Sequence, residues 1–359
     1  MVIVDPLPHR GQEPRGASDG KRDHMSQRTA TLAEIAHVAG VSVPTVSRVL
    51  NGRPGISAPK REEIEKLLEE RGYERRKARR ETSLLDFVIV SLETQWATEL
   101  LRGAQAEAAR AGADLVVTAT DGSPAGSPEW LQRVAGRGTD GIVIVVTEID
   151  PVGRDELARL NVPVVLVDPV GTDTESFVTV SAADWSGARD ATDHLLDLGH
   201  TRIGFVTGPL NLECHQDRLD GYMSALGRRG IVPDPSLVRI GDSLTSGGIR
   251  FGGELLDAPD RPTAIISGSD EQAYGIYLAA RERGLSVPED LSVVGFDDVD
   301  LCRWVNPQLT TVHQPLAGMA SEAARLALAM SRGETIANRR VQLSAELVVR
   351  ESTAPPRAV

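Results

Sequence analysis

Apolar positions in the first patterned stretch of the chain recur at helical spacing and predict three short helices between Leu32 and Tyr73. The first helix is broken by Gly40, and the second begins after Ser42, a residue type that caps helix N-termini. The third helix ends at Gly72. The pattern therefore indicates a small all-α module.

From Leu84 onward the pattern changes to short apolar runs separated by amphipathic stretches. The runs are typical of buried strands and lie at 85–92, 115–119, 141–146, 162–167, 203–207, 264–267 and 291–296. The amphipathic stretches predict helices and lie at 96–111, 188–198, 218–229 and 271–283. Strands that alternate with helices form βαβ units, so we expect parallel sheets with helices on both faces, in an α/β body of two lobes.

These patterns divide the chain into successive parts. Residues 1–25 contain much Pro, Gly, Asp and Arg without an apolar period, so we expect them to be disordered, with Met25 as an alternative start. The other parts are a helical domain (26–73), a linker (74–83), a two-lobed body (84–353) and a tail (354–359). Within the body, about 84–186 and 314–345 are assigned to the first lobe and about 187–313 to the second.

Charge is distributed unevenly between these parts. The whole chain has a net charge of −12. Residues 26–80 nevertheless contain 12 Lys and Arg against 7 Asp and Glu, whereas the sequence from Glu81 onward contains 23 against 40. A basic head on an acidic body is the asymmetry expected when one segment meets nucleic-acid phosphates and the rest does not.

The second predicted helix has the features of a helix that reads DNA. Such a helix needs small residues where it packs on its neighbour, a tight turn before it and polar groups near its N-terminus. Ala36 and Val46 fit the packing contact, and Gly40 fits the turn. The exposed face would carry Val43, Pro44, Thr45, Ser47 and Arg48. A helical hairpin within a core is the alternative, but this face has no apolar stripe.

The segment from Thr31 to Gly52 resembles the helix-turn-helix head of the LacI/GalR (lac repressor) family, whose pattern is roughly TLxDVAxxAGVSxxTVSRVLNG. The resemblance continues through the body at 140–143, 198–204, 218–222, 287–298, 307–312 and 347–353. It implies a DNA-binding repressor that acts as a homodimer on a palindromic double-stranded operator. It also implies a two-lobed body like that of type I periplasmic binding proteins, with a small effector in the cleft. Segments around Trp96 and Trp185 are similar to actinobacterial regulators of carbohydrate use.

Carried over residue by residue, the resemblance assigns the DNA contacts. Val43 and Pro44 take the first two base-reading positions and can offer only apolar contact, so Arg48 would make the main polar contact to base edges. The residues that resemble phosphate-positioning ones are Thr31, Ser42, Thr45, Ser47, Asn51, Ser57 and Tyr73.

The linker departs from the family pattern. Family members usually have a leucine here that wedges between base pairs, but no leucine lies between Tyr73 and Leu84, and five basic residues lie there instead. We expect Arg76 and Arg79 to enter a narrowed minor groove or to neutralise phosphates. A solvated charged linker is the alternative.

The effector site is expected beyond the carboxyl ends of the strands, where ligands of parallel α/β sheets bind. The residues predicted to contact the effector are Trp96, Asp168, Trp185, Gln216, Asp270 and Asp297. Carboxylates and an amide suit the hydroxyl groups of a sugar or oligosaccharide, and tryptophans offer apolar faces to a pyranose ring. Core or dimer packing is the alternative for each tryptophan, and helix capping is the alternative for Asp270.

Two departures leave a non-sugar effector open. Gln216 stands where sugar-binding members usually have an arginine, and Ser243 stands where an aromatic residue is frequent. Arg218 is interpreted as a structural ion-pair partner rather than a ligand anchor.

Other chemistry is poorly supported by the sequence. Cys214 and Cys302 are predicted to be buried thiols, and neither a metal site nor a cofactor is expected. Residues 241–244 spell the motif of GDSL hydrolases, but no Asp-x-x-His pair follows near the end of the chain to activate Ser243, so we do not expect an enzyme. No run approaches the length of a membrane span, and residues 1–25 have no apolar signal core, so a cytoplasmic, nucleoid-associated protein without a membrane partner is expected.

Overall fold

The computed structural model describes residues 32–50, 56–71, 82–149, 151–170 and 176–357. The chain divides into two compact units, residues 1–79 and 80–359. The predictions for the segment 1–25 and for Thr31, Asn51, Tyr73, Arg76 and Arg79 lie outside the described residues.

The described residues of the first unit form three helices: α1 (Leu32–Val38), α2 (Val43–Leu50) and α3 (Ala58–Glu70). Their apolar faces meet in one small core of Ile35, Ala36, Ala39, Val46, Val49, Ile64 and Leu68. Gly40 lies in the turn after α1 with a φ of 64°, a conformation that glycine adopts without steric cost. Ser57 is the N-cap residue of α3, although its side chain makes no capping hydrogen bond.

The second unit alternates strands and helices along almost its whole length. In chain order its elements are β1 (Ser83–Ile89), α4 (Gln95–Arg110), β2 (Ala113–Ala119), α5 (Pro128–Arg137), β3 (Gly141–Val145), α6 (Pro151–Arg159), β4 (Val164–Val167), β5 (Val178–Ala182), α7 (Asp184–Asp197), β6 (Ile203–Thr207), α8 (Glu213–Arg228), β7 (Val238–Ile240), α9 (Thr245–Gly247), α10 (Gly253–Leu256), β8 (Ala264–Ser267), α11 (Asp270–Glu282), β9 (Ser292–Asp297), α12 (Leu301–Trp304), β10 (Thr310–His313), α13 (Leu316–Ser331), β11 (Arg340–Leu343) and β12 (Glu346–Val348). A 3-10 turn covers Pro235–Leu237, and a π-helical segment covers Gly248–Gly252.

The strands form two six-stranded sheets, one in each lobe. The first has the order β11-β5-β4-β3-β1-β2, and the second has the order β12-β10-β9-β8-β6-β7. The paired strands run parallel, except that β10 and β12 are antiparallel. All seven predicted strands are present, and the structure adds β5, β7, β10, β11 and β12.

The chain passes between the lobes more than once. It leaves the first sheet after β5, returns from β10 to α13, and leaves again after β11 to form β12. The segment after β12 stays on the second sheet, because Val293 N–H donates to the Ser352 carbonyl (2.9 Å) and Ala354 N–H donates to Ser292 Oγ (3.0 Å). Residues 354–357, predicted as a tail, are therefore hydrogen-bonded to the second lobe.

Helices pack closely on the first sheet. On α13, Ala320, Ala323, Ala324 and Ala327 belong to the buried core, and α4 lies against this helix through Gly103. A Cβ at position 103 would lie 1.9 Å from the Ala317 carbonyl oxygen, so the two backbones approach as closely as they do only because this residue is glycine. Among the described residues, no helix is both long enough and apolar enough to cross a membrane.

Candidate effector cavity and DNA-reading helix

A cavity of about 320 Å³ is lined by residues of both lobes. Val90, Val146, Asp168 and Gly268 line it, and each directly follows a strand: β1, β3, β4 and β8. Asp297, the last residue of β9, lines it as well. The cavity therefore lies at the carboxyl ends of the strands of both sheets, where ligands of such folds bind.

Three of the six residues predicted to contact the effector line this cavity: Trp96, Asp168 and Asp297. Trp185 is not among the lining residues. This residue is 37% exposed, and the Arg189 guanidinium lies 5.3 Å from the centroid of its ring. The side chain of Gln216 also makes no part of the lining, because its amide donates a hydrogen bond to Asp220 (3.0 Å) on the surface of α8.

Asp270 is completely buried and does not line the cavity. Its carboxylate accepts hydrogen bonds from Val299 N–H (2.9 Å) and Thr311 Oγ1 (2.5 Å), so both oxygens are occupied by the second lobe itself. Nor does it cap α11, since Ser269 is the cap and accepts from Gln272 N–H (3.0 Å). The structure therefore gives Asp270 a role in holding the β9 and β10 ends together.

Arg218 is the buried cation of the cavity wall. Its Nε donates to Asp184 Oδ1 (2.7 Å) and its Nη1 to the Gly268 carbonyl (2.6 Å), while its guanidinium lies 3.9 Å from the centre of the Phe296 ring. Burial alone would lower the pKa of Arg218, but the Asp184 carboxylate outweighs this and raises the pKa. The interpretation of Arg218 as an ion-pair partner is confirmed, and its place in the cavity lining is a further finding.

Three buried carboxyl groups share this single guanidinium: Asp168, Asp184 and Asp297. Burial and the neighbouring charge of Asp184 raise the pKa of Asp168 to about 8, although Arg218 opposes the shift. Burial also raises the pKa of Asp297 well above its ordinary value. Oδ1 of Asp168 is buried without a hydrogen-bond partner among the described residues, as expected of a group that a ligand would satisfy.

Unusual backbone conformations concentrate at the cavity. Four lining residues have a positive φ: Val146 (42°), Asp168 (44°), Ser243 (63°) and Asp297 (117°). None is glycine, and Val146 is β-branched, so these conformations cost conformational energy. Strain that gathers around one cavity is typical of a functional site.

Two sets of contacts join the lobes beside the cavity. Gln95, the first residue of α4, accepts a hydrogen bond from Leu301 N–H at its side-chain oxygen (2.9 Å) and donates its own N–H to Glu271 (3.4 Å). A single β-bridge pairs Val170 of the first lobe with Leu212 of the second. Because Glu271 and Leu212 both line the cavity, a ligand there would lie next to the contacts that hold the lobes together.

In the head, α2 turns Val46 and Val49 into the core and leaves Val43, Pro44 and Arg48 exposed. Val43 is 41% exposed, so its side chain is available for an apolar contact. Three of the residues predicted to position phosphates are described. Ser42 and Ser57 are exposed, and the hydroxyl groups of Ser42 and Thr45 lie 2.9 Å apart. The side chain of Ser47 lies outside the described part of the structure.

Disulfides and metal sites are the other features to consider in the described residues. Cys214 and Cys302 are free and buried, as predicted. Within the described ranges, no group of three or more His, Cys, Asp or Glu side chains is arranged to hold a metal ion.

Comparison with known proteins identifies the family. The model of bacterial regulatory proteins of the lacI family matches residues 31–76, and that of a periplasmic binding protein-like domain matches residues 192–353. Catabolite control protein A of Priestia megaterium is 32% identical over 332 residues, which are 90% of this chain and 99% of that protein. This chain belongs to the LacI family.

Solved structures of LacI-family regulators share the fold. A complex of the transcriptional regulator CelR with cellobiose has a TM-score of 0.68 at 31% identity, covering 90% of this chain and 99% of that one. The lac repressor dimer bound to operator and the anti-inducer ONPF has a TM-score of 0.67 at 27% identity, covering 91% and 100%. The prediction of a helix-turn-helix head with a periplasmic-binding-protein-like α/β body is confirmed.

As a member of the LacI family, this chain is a transcription regulator and not an enzyme. Ser243 nevertheless has a histidine neighbour that the sequence did not indicate, because its Oγ lies 2.9 Å from His215 Nε2. Burial first, and then the charge of Arg218, lower the pKa of His215 to about 3, so the ring is neutral at neutral pH. His215 Nδ1 has no partner among the described residues, so no carboxylate orients the ring as in a catalytic triad. Both side chains line the cavity as hydrogen-bonding groups.

Proposed function

We propose that this protein is a LacI-type repressor that binds a palindromic operator as a homodimer and responds to a sugar or oligosaccharide in the cavity. The observation that carries the proposal is the cavity itself. It lies between two lobes, is lined by Trp96, Asp168 and Asp297, and belongs to a chain whose helix α2 exposes Val43, Pro44 and Arg48. The relative CelR, which has the same fold, was solved with cellobiose.

In this proposal the exposed end of α2 enters the major groove. Val43 and Pro44 make apolar contacts, for instance with a thymine methyl group, and Arg48 bonds to base edges. The phosphate contacts come from Thr31, Ser42, Thr45, Ser47, Asn51, Ser57 and Tyr73, with Arg76 and Arg79 following in the linker. Because two heads act together, the operator has two half-sites related by the symmetry of the dimer.

Replacing Arg48 with alanine should weaken operator binding by about 1–3 kcal/mol and flatten the base preference at one position of each half-site. The operator is first selected from a library of random duplexes, and binding is then measured by fluorescence anisotropy on operator variants. Lys66→Ala removes a charge from an exposed position on α3 and serves as the control, because it should not change base preference. An Arg48→Ala variant that ranks operator variants as the wild type does would remove Arg48 from base reading.

Asp297→Ala should abolish the response to effector while operator affinity without effector stays unchanged, because Asp297 lines the cavity and the head is a separate unit. A thermal-shift screen of mono- and disaccharides, with cellobiose and ribose among them, finds the effector, since a ligand of the native state raises the melting temperature. Operator release is then titrated with that sugar. Asp155→Ala, an exposed position on α6, is the control. A response retained by Asp297→Ala would contradict the proposed site.

A further inference from the structure

The charges that line the cavity are strongly one-sided. Five carboxyl side chains belong to the lining: Glu93, Asp168, Asp242, Glu271 and Asp297. Arg218 is the one guanidinium among the lining residues, and residues 82–357 contain no lysine at all. A ligand that enters this cavity therefore meets many hydrogen-bond acceptors and few positive charges.

Arg218 cannot balance these carboxyl groups, because it is already engaged. Its Nε is engaged in the ion pair with Asp184, and its Nη1 donates to the Gly268 carbonyl. Asp168 is left with Oδ1 buried and unpartnered. An ionised carboxylate buried without a donor is costly, which is why the pKa of Asp168 is raised and the carboxyl keeps its proton at neutral pH in the unliganded protein. It can become ionised only beside a cation or donor that a ligand brings.

Three helices begin at the cavity, and their N-termini carry a partial positive charge that would favour an anion. They are α4, α8 and α11, whose N-cap residues Thr94, Leu212 and Ser269 all line the cavity. Two of these first turns oppose the effect, however: Glu213 lies in the first turn of α8, and Asp270 and Glu271 lie in that of α11. The first turn of α4 has no acidic residue, but Glu93 directly before its N-cap lines the cavity, so carboxyl groups of the chain lie near all three helix ends.

We infer that the effector is a sugar-sized ligand that carries a protonated amine, which lies against Asp168 and Asp297. An ammonium group brings three donors and a full positive charge, and so satisfies the unpartnered oxygen and balances the carboxyl groups at once. The rest of the ligand would contact the apolar part of the wall, which includes Val90, Trp96 and Val299. This inference rests on the proposed function, because it specifies the effector of the same cavity.

The test compares ligands of one size and different charge on the full chain by titration calorimetry at pH 7. Glucosamine is the cation, glucose and N-acetylglucosamine are the neutral counterparts, and glucose 6-phosphate is the anion. The disaccharide arm compares cellobiose with the dimer of glucosamine. We expect the amine to bind roughly tenfold or more tightly than its neutral counterpart, and the anion not to bind, because a hydrogen bond to a charged partner is worth that much in affinity.

Asp168→Asn should remove most of the difference between amine and neutral sugar, since asparagine keeps the shape of the side chain but cannot become ionised beside the amine. Asp155→Asn, an exposed acid on α6, should leave the difference intact. Neutral sugars that bind as tightly as the amines, or an anion that binds most tightly, would overturn this inference and leave the proposed function standing. If no member of either arm binds while operator binding is intact, the sugar-sized effector of the proposed function fails as well.

Discussion

Replacing Arg218 with methionine should lower the free energy of unfolding of the body by about 3–5 kcal/mol. The guanidinium and its partner Asp184 are 5% and 2% exposed, so the substitution would leave a buried carboxylate without its cation. The Gln314 amide, which donates to the same Asp184 oxygen (2.9 Å), would remain as a neutral partner. Methionine keeps much of the volume, so the loss reports the charge rather than a cavity. Urea denaturation at neutral pH, followed by circular dichroism, measures it.

Two further variants separate this effect from a general loss of charge. Arg229→Met removes an arginine whose pairs with Asp193 and Asp197 lie on the surface, and it should leave the urea midpoint unchanged. Adding Asp184→Asn to Arg218→Met should recover a large part of the lost stability, because the uncompensated carboxylate is then gone. If Arg218→Met lowers the free energy of unfolding by less than about 1 kcal/mol, the buried ion pair contributes no more to stability than a surface pair does.

Asp168→Asn should become more stable relative to the wild type as the pH rises from 5 to 8. The pKa of Asp168 is raised to about 8, whereas an unfolded aspartate titrates at its ordinary value of 3.8, so between these values the folded state holds a proton that the unfolded state lacks. The stability that this carboxyl contributes is fully present below pH 4 and is lost as the pH approaches 8. Asparagine has no such proton, so it removes a slope of up to about 1.4 kcal/mol per pH unit.

Unfolding in urea at pH 5, 6, 7 and 8 measures this difference between the two proteins. Asp168 titrates together with the groups that face it, which are Asp184, Glu213, Asp297 and the opposing cation Arg218, so the slope belongs to the cluster and one proton is its upper limit. Asp155→Asn, an exposed acid on α6 that is not among these groups, should follow the wild type at every pH. Parallel stability curves for Asp168→Asn and wild type would show that Asp168 is ionised in the folded protein throughout this range.

The sequence predicted the strands that contain an apolar run and missed those in which polar residues interrupt it. All five residues of β3 and all four of β4 are buried, and such runs are visible in a single sequence. By contrast, β7, β11 and β12 contain half-buried or exposed residues and lie at or near sheet edges, where one side of the strand meets solvent. A three- or four-residue strand without an apolar run has no signal apart from the sheet that it completes.

Site residues that directly follow a strand could be predicted from the sequence. Residues whose side chains bond to a partner far away in the sequence could not. Asp168 and Asp297 were found because polar residues at strand ends lie at one edge of a sheet. The same rule failed for Asp270, whose side chain is bonded to Thr311, 41 residues away. His215 and Arg218 lie three residues apart on the buried face of α8. Titratable side chains are uncommon on a buried helix face, so this spacing is a sequence feature that indicates a functional or structural role for both residues.

The repeated passage of the chain between the lobes has a consequence for how the molecule is made. The edge strand of the first sheet, β11 (340–343), and that of the second sheet, β12 (346–348), are both synthesised near the end of the chain. Neither sheet can be completed before then. On the ribosome, the three-helix head emerges more than 250 residues earlier and can fold as a unit, since its core uses residues 35–68 alone. A nascent polypeptide therefore contains a folded helix-turn-helix head long before its two-lobed body is complete. A prematurely terminated polypeptide would contain the head without the effector-binding body that controls it.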